Sequence, residues 1–252
     1  MKNLNIGKFT SILPEWGRHL LKHVIITVRF YGKSRVCTVC GKSSRRFRRF
    51  GTVPRENAQC AYCGSLERHR FLWLFLTNKT DLFDGNQKKV LHVAPEPCLE
   101  NRLRERIGVG YITADLFNSR AMVKMDITNI KYPDQSFDVV YCSHVLEHVQ
   151  DDKQAIREFH RVLKKNGWAI LLVPPISSGK TYEDPSIIAP EARLIAFGQK
   201  DHVRRYGKDY VDRLREAGFK IEVIEVNDIA AENEAILMGL TLSCGEIYYC
   251  TK

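Results

Sequence analysis

No apolar run in this 252-residue chain is long enough to cross a bilayer as a helix. The best stretch, Leu20 to Tyr31, is cut by Lys22, His23 and Arg29, too short and too charged for a span. It is expected instead as a helix or strand packed on neighbouring structure, and with Arg18, Lys22 and Arg29 it could also rest on a membrane surface. Internal repeats and low-complexity tracts are missing, which removes solenoids and biased tails. Acidic residues are scarce at one end: residues 1 to 80 hold three Glu against sixteen Lys and Arg, while the other 172 hold twenty-six acids and twenty-three bases. The whole positive excess therefore sits in the first third. No secretory leader opens the sequence, so its cysteines are expected as thiols and the protein as cytoplasmic. The length suits one α/β domain with a small appendage.

Four of the eight cysteines form two knuckles, Cys37-Thr-Val-Cys40-Gly and Cys60-Ala-Tyr-Cys63-Gly, with nineteen residues between them. Such a pair can place four thiolates around one tetrahedral Zn²⁺, and a glycine after each knuckle permits the tight turn. The expected metal ligands are Cys37, Cys40, Cys60 and Cys63, in a closed and therefore structural site. The competing reading, two disulfides, requires strained CxxC bridges. Cys98, Cys142, Cys244 and Cys250 fall in or beside expected core elements and read as small buried apolar residues. Between the knuckles Arg45, Arg46, Arg48 and Arg49 surround Phe47 and Phe50, and Arg68, His69 and Arg70 follow. Such a ribbon could grip RNA through guanidinium–phosphate contacts and stacking; alternatively its phenylalanines fold it against the core and its arginines stay solvated.

Residues 125 to 174 carry the densest pattern. Phe137 to Cys142 (FDVVYC) is a short β-branched run, as a strand buried on both faces should be, and Trp168 to Val173 is another. Between them Ala155, Ile156, Phe159, Val162 and Leu163 recur at helical spacing, with Asn166-Gly167 as the expected helix end. The result is a parallel strand pair with a crossover helix. Upstream, Lys88 to Val93 reads as a strand, Cys98 to Ile107 as a helix and Tyr111 to Ala114 as a second strand ending at Asp115.

The order Asp126-Ile127, FDVV, HVLEH, RVLKKNGWAILLVP resembles the SAM-binding core of class I methyltransferases, type 11-like, in a subgroup with a HVAPEP-type first loop and an N-terminal four-cysteine ribbon. The resemblance implies an α/β fold: a Rossmann-like seven-stranded core (residues 81–252) after a helix and zinc-ribbon region (residues 1–80). It further implies that S-adenosyl-L-methionine meets His92, Val93, Ala94, Pro95 and Glu96 in the first loop, Asp115 and Leu116 at the ribose, Asp126 and Ile127 at the adenine, and Ser143. The chain departs from the family pattern in that first loop, which has no glycine. Glycine there reaches positive φ and lets backbone approach a ligand, so HVAPEP should follow a stiffer path, with Glu96 facing the ligand's ammonium group or with cofactor binding lost.

After the fifth strand a long polar segment, about residues 174–207, reads as a lid. Within it FGQKDHVRRYG is the expected acceptor-recognition tract, while Asp201 could cap a turn and Arg204 pair with Glu183 or Asp184. His144 and His202 are the candidate catalytic bases. The function expected is methyl transfer to an oxygen or nitrogen of a small molecule or glycan, against RNA modification through the ribbon or a non-catalytic interaction module.

Overall fold

A computed structural model describes residues 14–51, 53–174 and 179–252. Its centre is a seven-stranded sheet of β1 (Val90–Val93), β2 (Tyr111–Asp115), β3 (Val123–Lys124), β4 (Phe137–Ser143), β5 (Leu163–Leu172), β6 (Lys220–Ile224) and β7 (Ile247–Thr251), in the order β3-β2-β1-β4-β5-β7-β6. Strand β7 is antiparallel to both neighbours, and the pairings from β3 through β5 are parallel. The helices are α1 (Glu15–Phe30), α2 (Glu67–Asn78), α3 (Pro97–Ile107), α4 (Asp152–Val162), α5 (Pro190–Phe197), α6 (Tyr210–Glu216) and α7 (Glu232–Met238). Side chains alternate across a pleated strand, and the alternation splits the centre into two cores. Val140 and Cys142 of β4 and Ala169 and Leu171 of β5 pack with Ala155, Ile156 and Phe159 of α4. Val139, Tyr141, Trp168 and Ile170 point the other way, onto Phe71, Leu72, Phe75 and Leu76 of α2, Leu99 and Leu103 of α3, and Cys37, Val39, Phe47 and Cys60 of the ribbon. The ribbon thus shares a core with the sheet, and α2 is the bridge.

The crossover helix stops sooner than its apolar spacing suggests. α4 ends at Val162, Leu163 already has extended backbone, and Asn166-Gly167 lies inside β5. Gly167 is needed for close approach, since a Cβ there would lie 2.7 Å from the Asp138 carbonyl oxygen; it is not among the residues with positive φ.

The ribbon is two hairpins, Arg35–Val36 with Ser43–Ser44 and Arg48–Phe50 with Arg55–Gln59. The stretch Leu20 to Tyr31 is mostly α1, whose Phe30 is buried and whose Trp16, Leu20, Val24 and Val28 are exposed. The Lys22 side chain and residues 175–178 of the expected lid lie outside the described residues.

Candidate active site and metal centre

Strand order reverses between β1 and β4, since the chain goes from β1 outward to β2 and β3 and then returns to β4. Ligands of open α/β sheets lie at the carboxyl ends of the strands at such a switch point. There the loop after β1 meets the end of β2: the Ala94 amide donates to the Ala114 carbonyl at 2.8 Å. Ala94 has φ +49°, so the loop does reach the left-handed region without glycine. An L-residue there costs on the order of 1–2 kcal/mol, and alanine, with the smallest side chain, keeps the backbone approachable.

Both carboxylate oxygens of Glu96 are engaged within the protein. Its Oε1 accepts from the Tyr141 hydroxyl at 2.8 Å and its Oε2 lies 2.9 Å from His92 Nε2, with His69 Nε2 3.8 Å from Oε1. Burial disfavours its charge, yet the hydrogen bond and attraction of His92 outweigh this and hold the carboxyl down at about 2. Burial lowers His69 to about 4, which leaves its Nδ1 to accept from the Leu66 amide at 3.1 Å. His92 is fully buried, with its Nδ1 2.6 Å from the Tyr111 hydroxyl. The side chains of His92 and Glu96 therefore brace the loop from beneath. Tyr141 and His69, which complete this network, have no local pattern in the sequence that joins them to residue 96.

Asp115 stands half-exposed at the end of β2, its Oδ1 accepting from the Phe117 and Asn118 amides, both at 2.8 Å. Both bonds use one oxygen and so orient the carboxylate. Asp126 is likewise turned by Thr128, whose amide and hydroxyl donate to its Oδ1. With Leu116, Met125 and Tyr132 it borders a cavity of about 440 Å³, while Ile127 is buried. Ser143 ends β4, buried, its hydroxyl without a hydrogen-bond partner among the described residues. His144 follows with φ +55° and a side chain 26 % exposed, its Nδ1 3.4 Å from Glu147 Oε1. Pro95 is half-buried and Val93 buried.

The lid tract is less available than its polarity suggests. Arg204 is 3 % exposed, its guanidinium donating to Glu183 at 2.9 Å and to the carbonyls of Leu146, Val149 and Gln150. Tyr206 is buried and donates to Asp152, which also holds Arg213. His202 is 5 % exposed, and burial lowers its pKa. Asp201 does not cap a turn by any bond among the described residues; its Oδ2 lies 3.2 Å from His148 Nδ1. These residues clamp the lid onto the loop after β4.

The four ribbon sulfurs converge, with Cys37 Sγ 3.7 Å from Cys63 Sγ and Cys40 Sγ 3.8 Å from Cys60 Sγ. Those spacings far exceed a disulfide bond. They match the edge of a tetrahedron with metal–sulfur bonds of about 2.3 Å, which is roughly 3.8 Å. The two knuckles are alike: Gly41 donates to Cys37 and Gly64 to Cys60, with φ +70° and +76°. Ser65 Oγ lies 3.1 and 3.2 Å from Cys37 and Cys63 Sγ. Cys98 is half-buried, its sulfur 3.2 Å from His69 Nδ1, while Cys142, Cys244 and Cys250 are buried as expected.

Of the ribbon's basic residues Arg45, Arg46 and Arg49 are exposed, whereas Arg70 is fully buried. Its guanidinium donates to the carbonyls of Met238, Ala58, Ser65 and Gly239 and stacks 4.2 Å from the centre of the Phe47 ring. Arg70 is thus a fastener between ribbon and core and adds nothing to a surface patch.

Residues 101–171 match the family described as methyltransferase domain. Over 101 residues the chain is 34 % identical to phosphoethanolamine N-methyltransferase 3 of Arabidopsis thaliana, covering 40 % of this chain and 19 % of that protein. Over 44 residues it is 39 % identical to an uncharacterized methyltransferase of Bacillus subtilis, covering 18 % and 17 %. The chain thus spans less than a fifth of the length of these curated relatives. Among solved structures, an S-adenosylmethionine-dependent methyltransferase described as putative, from Listeria monocytogenes, superposes with TM-score 0.48 at 18 % identity over 74 % of this chain and 96 % of that one. The order of its seven strands gives the chain the Rossmann-like fold of class I methyltransferases, and residues 101–171 match the methyltransferase domain family.

Proposed function

We propose that the cleft at the β1–β4 switch binds S-adenosyl-L-methionine, and that the protein transfers its methyl group to an oxygen or nitrogen of a small-molecule or glycan acceptor. The observation that carries this is the pairing of the left-handed Ala94 turn with the oriented Asp115 carboxylate at the ends of adjacent strands. These residues fit the cofactor: half-buried loop backbone with a single methyl side chain for its amino-acid end, and for its ribose hydroxyls the second carboxylate oxygen of Asp115, which takes no hydrogen bond among the described residues. When bound, the sulfonium supplies an electrophilic methyl group. Transfer is an in-line displacement that depends on alignment more than on acid–base groups. Asp115 and the Asp126–Ile127 segment hold the nucleoside, the Ala94–Pro97 loop orients the amino-acid end, and the clamped lid excludes water. On this reading His144, partly exposed after β4, takes the acceptor proton.

In the ribbon, the sulfur spacings and the paired glycine turns favour a structural Zn²⁺ held by Cys37, Cys40, Cys60 and Cys63. A second reading, RNA as the acceptor, is favoured by a cavity of about 700 Å³ between α1 and the ribbon, lined by Arg18, Arg29, Arg46, Arg48 and Arg49 beside Phe47.

Calorimetry with SAM tests the first reading. Binding by the parent and its loss in Asp115→Ala support it; no heat with the parent, or equal binding by the variant, refutes it. A methyl-label transfer screen over RNA, protein, glycan and small-metabolite fractions then names the acceptor. An RNA mobility shift that disappears in the Arg45/Arg46/Arg48/Arg49→Ala variant would select the RNA reading.

A further inference from the structure

We infer that Glu147, His148 and His202 form a second metal site, separate from the thiolate cluster, which takes one divalent cation of the Zn²⁺, Co²⁺, Mn²⁺ or Fe²⁺ type. One ligand atom from each lies within 4.8 Å of the others. The second observation is what these atoms lack. Glu147 is 1 % exposed and His202 5 %, and Glu147 Oε2 and His202 Nε2 are both buried without a hydrogen-bond partner among the described residues. Buried polar atoms are ordinarily paired, and a carboxylate oxygen left bare beside a bare imidazole nitrogen is costly. A cation between them satisfies both.

The surroundings hold the three groups as ligands are usually held. Asp201 Oδ2 lies 3.2 Å from His148 Nδ1, so a proton kept on Nδ1 leaves Nε2 as the lone-pair atom. Carboxylate–histidine–metal chains of this kind fix the tautomer and the ring orientation. The two imidazoles stand edge to face, with centres 4.7 Å apart. The Val203 amide donates to the Glu147 carbonyl at 2.9 Å, and Arg204 binds the Leu146, Val149 and Gln150 carbonyls, so the segment bearing His202 is tied on both sides of the Glu147–His148 pair. A ligand pair on one loop is thereby joined by a third ligand from a segment much further along the chain.

Two imidazoles and one carboxylate suit these borderline cations, and three protein ligands leave coordination positions open. The site follows directly on Ser143 and His144. On the methyltransferase reading, its open position would take an oxygen of the acceptor and set it in line with the methyl group; metal binding itself does not depend on that reading.

The test is a calorimetric and visible-absorption titration of the full chain, with its ribbon zinc in place and no SAM present, using Co²⁺ alone. We expect about one added equivalent, with weak nitrogen–oxygen d–d bands and no near-ultraviolet sulfur charge transfer. Glu147→Gln and the partly exposed His148→Ala should each weaken binding tenfold or more, and Asp201→Asn about 10–100-fold as an outer partner. Thermal unfolding in chelator-free buffer without Co²⁺ shows that each variant is folded, and His148→Ala carries the test if Glu147→Gln is not. No Co²⁺ uptake by the parent, equal uptake by the two ligand variants, or a charge-transfer band showing that cobalt has entered the thiolate site would overturn the inference. Because SAM is absent from the cell, a protein that fails to bind SAM still shows in this titration whether it takes the cation.

Discussion

Arg70→Met should destabilise the protein more than any surface substitution. The native guanidinium is fully buried and supplies four carbonyl oxygens, two in the ribbon and two at the end of α7, at 2.7 to 3.0 Å. Methionine fills a similar length but donates nothing, so those carbonyls lose their partner and each orphaned acceptor costs about 1–3 kcal/mol. The stacking on Phe47 goes as well, a further contribution of roughly 1–2 kcal/mol. Against this, an expensive buried charge is removed, worth several kcal/mol in the other direction. The net expectation is a loss of about 3–5 kcal/mol, the range found when one partner of a buried ionic contact is deleted. At roughly 2–4 °C per kcal/mol for a chain of this size, the melting temperature should fall by about 6–20 °C. Arg70→Lys should recover only part, because a point ammonium cannot span acceptors arranged for a planar fork. The assay is thermal unfolding by circular dichroism in zinc-containing buffer, with metal content measured alongside, since the Ser65 carbonyl accepts from Arg70 while its hydroxyl lies against the sulfurs of Cys37 and Cys63. A change within about 1 kcal/mol for Arg70→Met would show that the carbonyls find other partners and that the fastening role is wrong.

Ala94→Gly should stabilise the fold by up to about 1 kcal/mol, because relief of the left-handed strain exceeds the added freedom of the unfolded chain; a lowered urea midpoint would contradict the strain. Acid should destabilise in two overlapping windows. The folded pKa values of His69 (about 4) and Glu96 (about 2) both lie below their ordinary 6.5 and 4.5. The unfolded chain therefore binds more protons, and stability present at neutral pH is lost between about 6.5 and 4 through His69 and between about 4.5 and 2 through Glu96. His69→Gln should flatten the upper window, and an unfolding midpoint that stays constant from neutral pH down through both windows would dismiss both contributions. Cys60→Ser should lower bound zinc from about one equivalent to well below it and loosen the ribbon, as structural zinc sites contribute folding energy directly; undiminished metal in the variant would refute the four-sulfur assignment.

The main elements were legible because their signals are local. Phe137 to Cys142 read as a strand, Tyr111 to Asp115 formed where the apolar run ends in an acid, and the knuckle glycines took the turns their position required. The failures share a different cause. Leu163 has helical spacing but opens β5, since its ladder pairing with Phe137 of β4 outweighs periodicity. The basic lettering of residues 68 to 70 and the polar lettering of residues 199 to 206 both suggested surface. The expected Arg204–Glu183 pair does form, but Arg70, Arg204 and Tyr206 are buried, with further partners far away in sequence that no window reveals. Glu96 was legible as an acid in the right loop, but its direction depends on Tyr141, 45 residues later. Conversely, Ala94 shows that lack of glycine does not forbid positive φ when a backbone bond to Ala114 holds the turn.

The span of the Arg70 contacts also sets a clock. Its partners at Met238 and Gly239 lie 168 and 169 residues downstream. At a synthesis rate of about 5–20 residues per second, those carbonyls leave the ribosome roughly 8–34 s after the arginine does. During that interval α2 carries a guanidinium with half its acceptors missing, since only the Ala58 and Ser65 carbonyls precede it. Docking of the ribbon is therefore a late event in the nascent chain, completed only when α7 arrives.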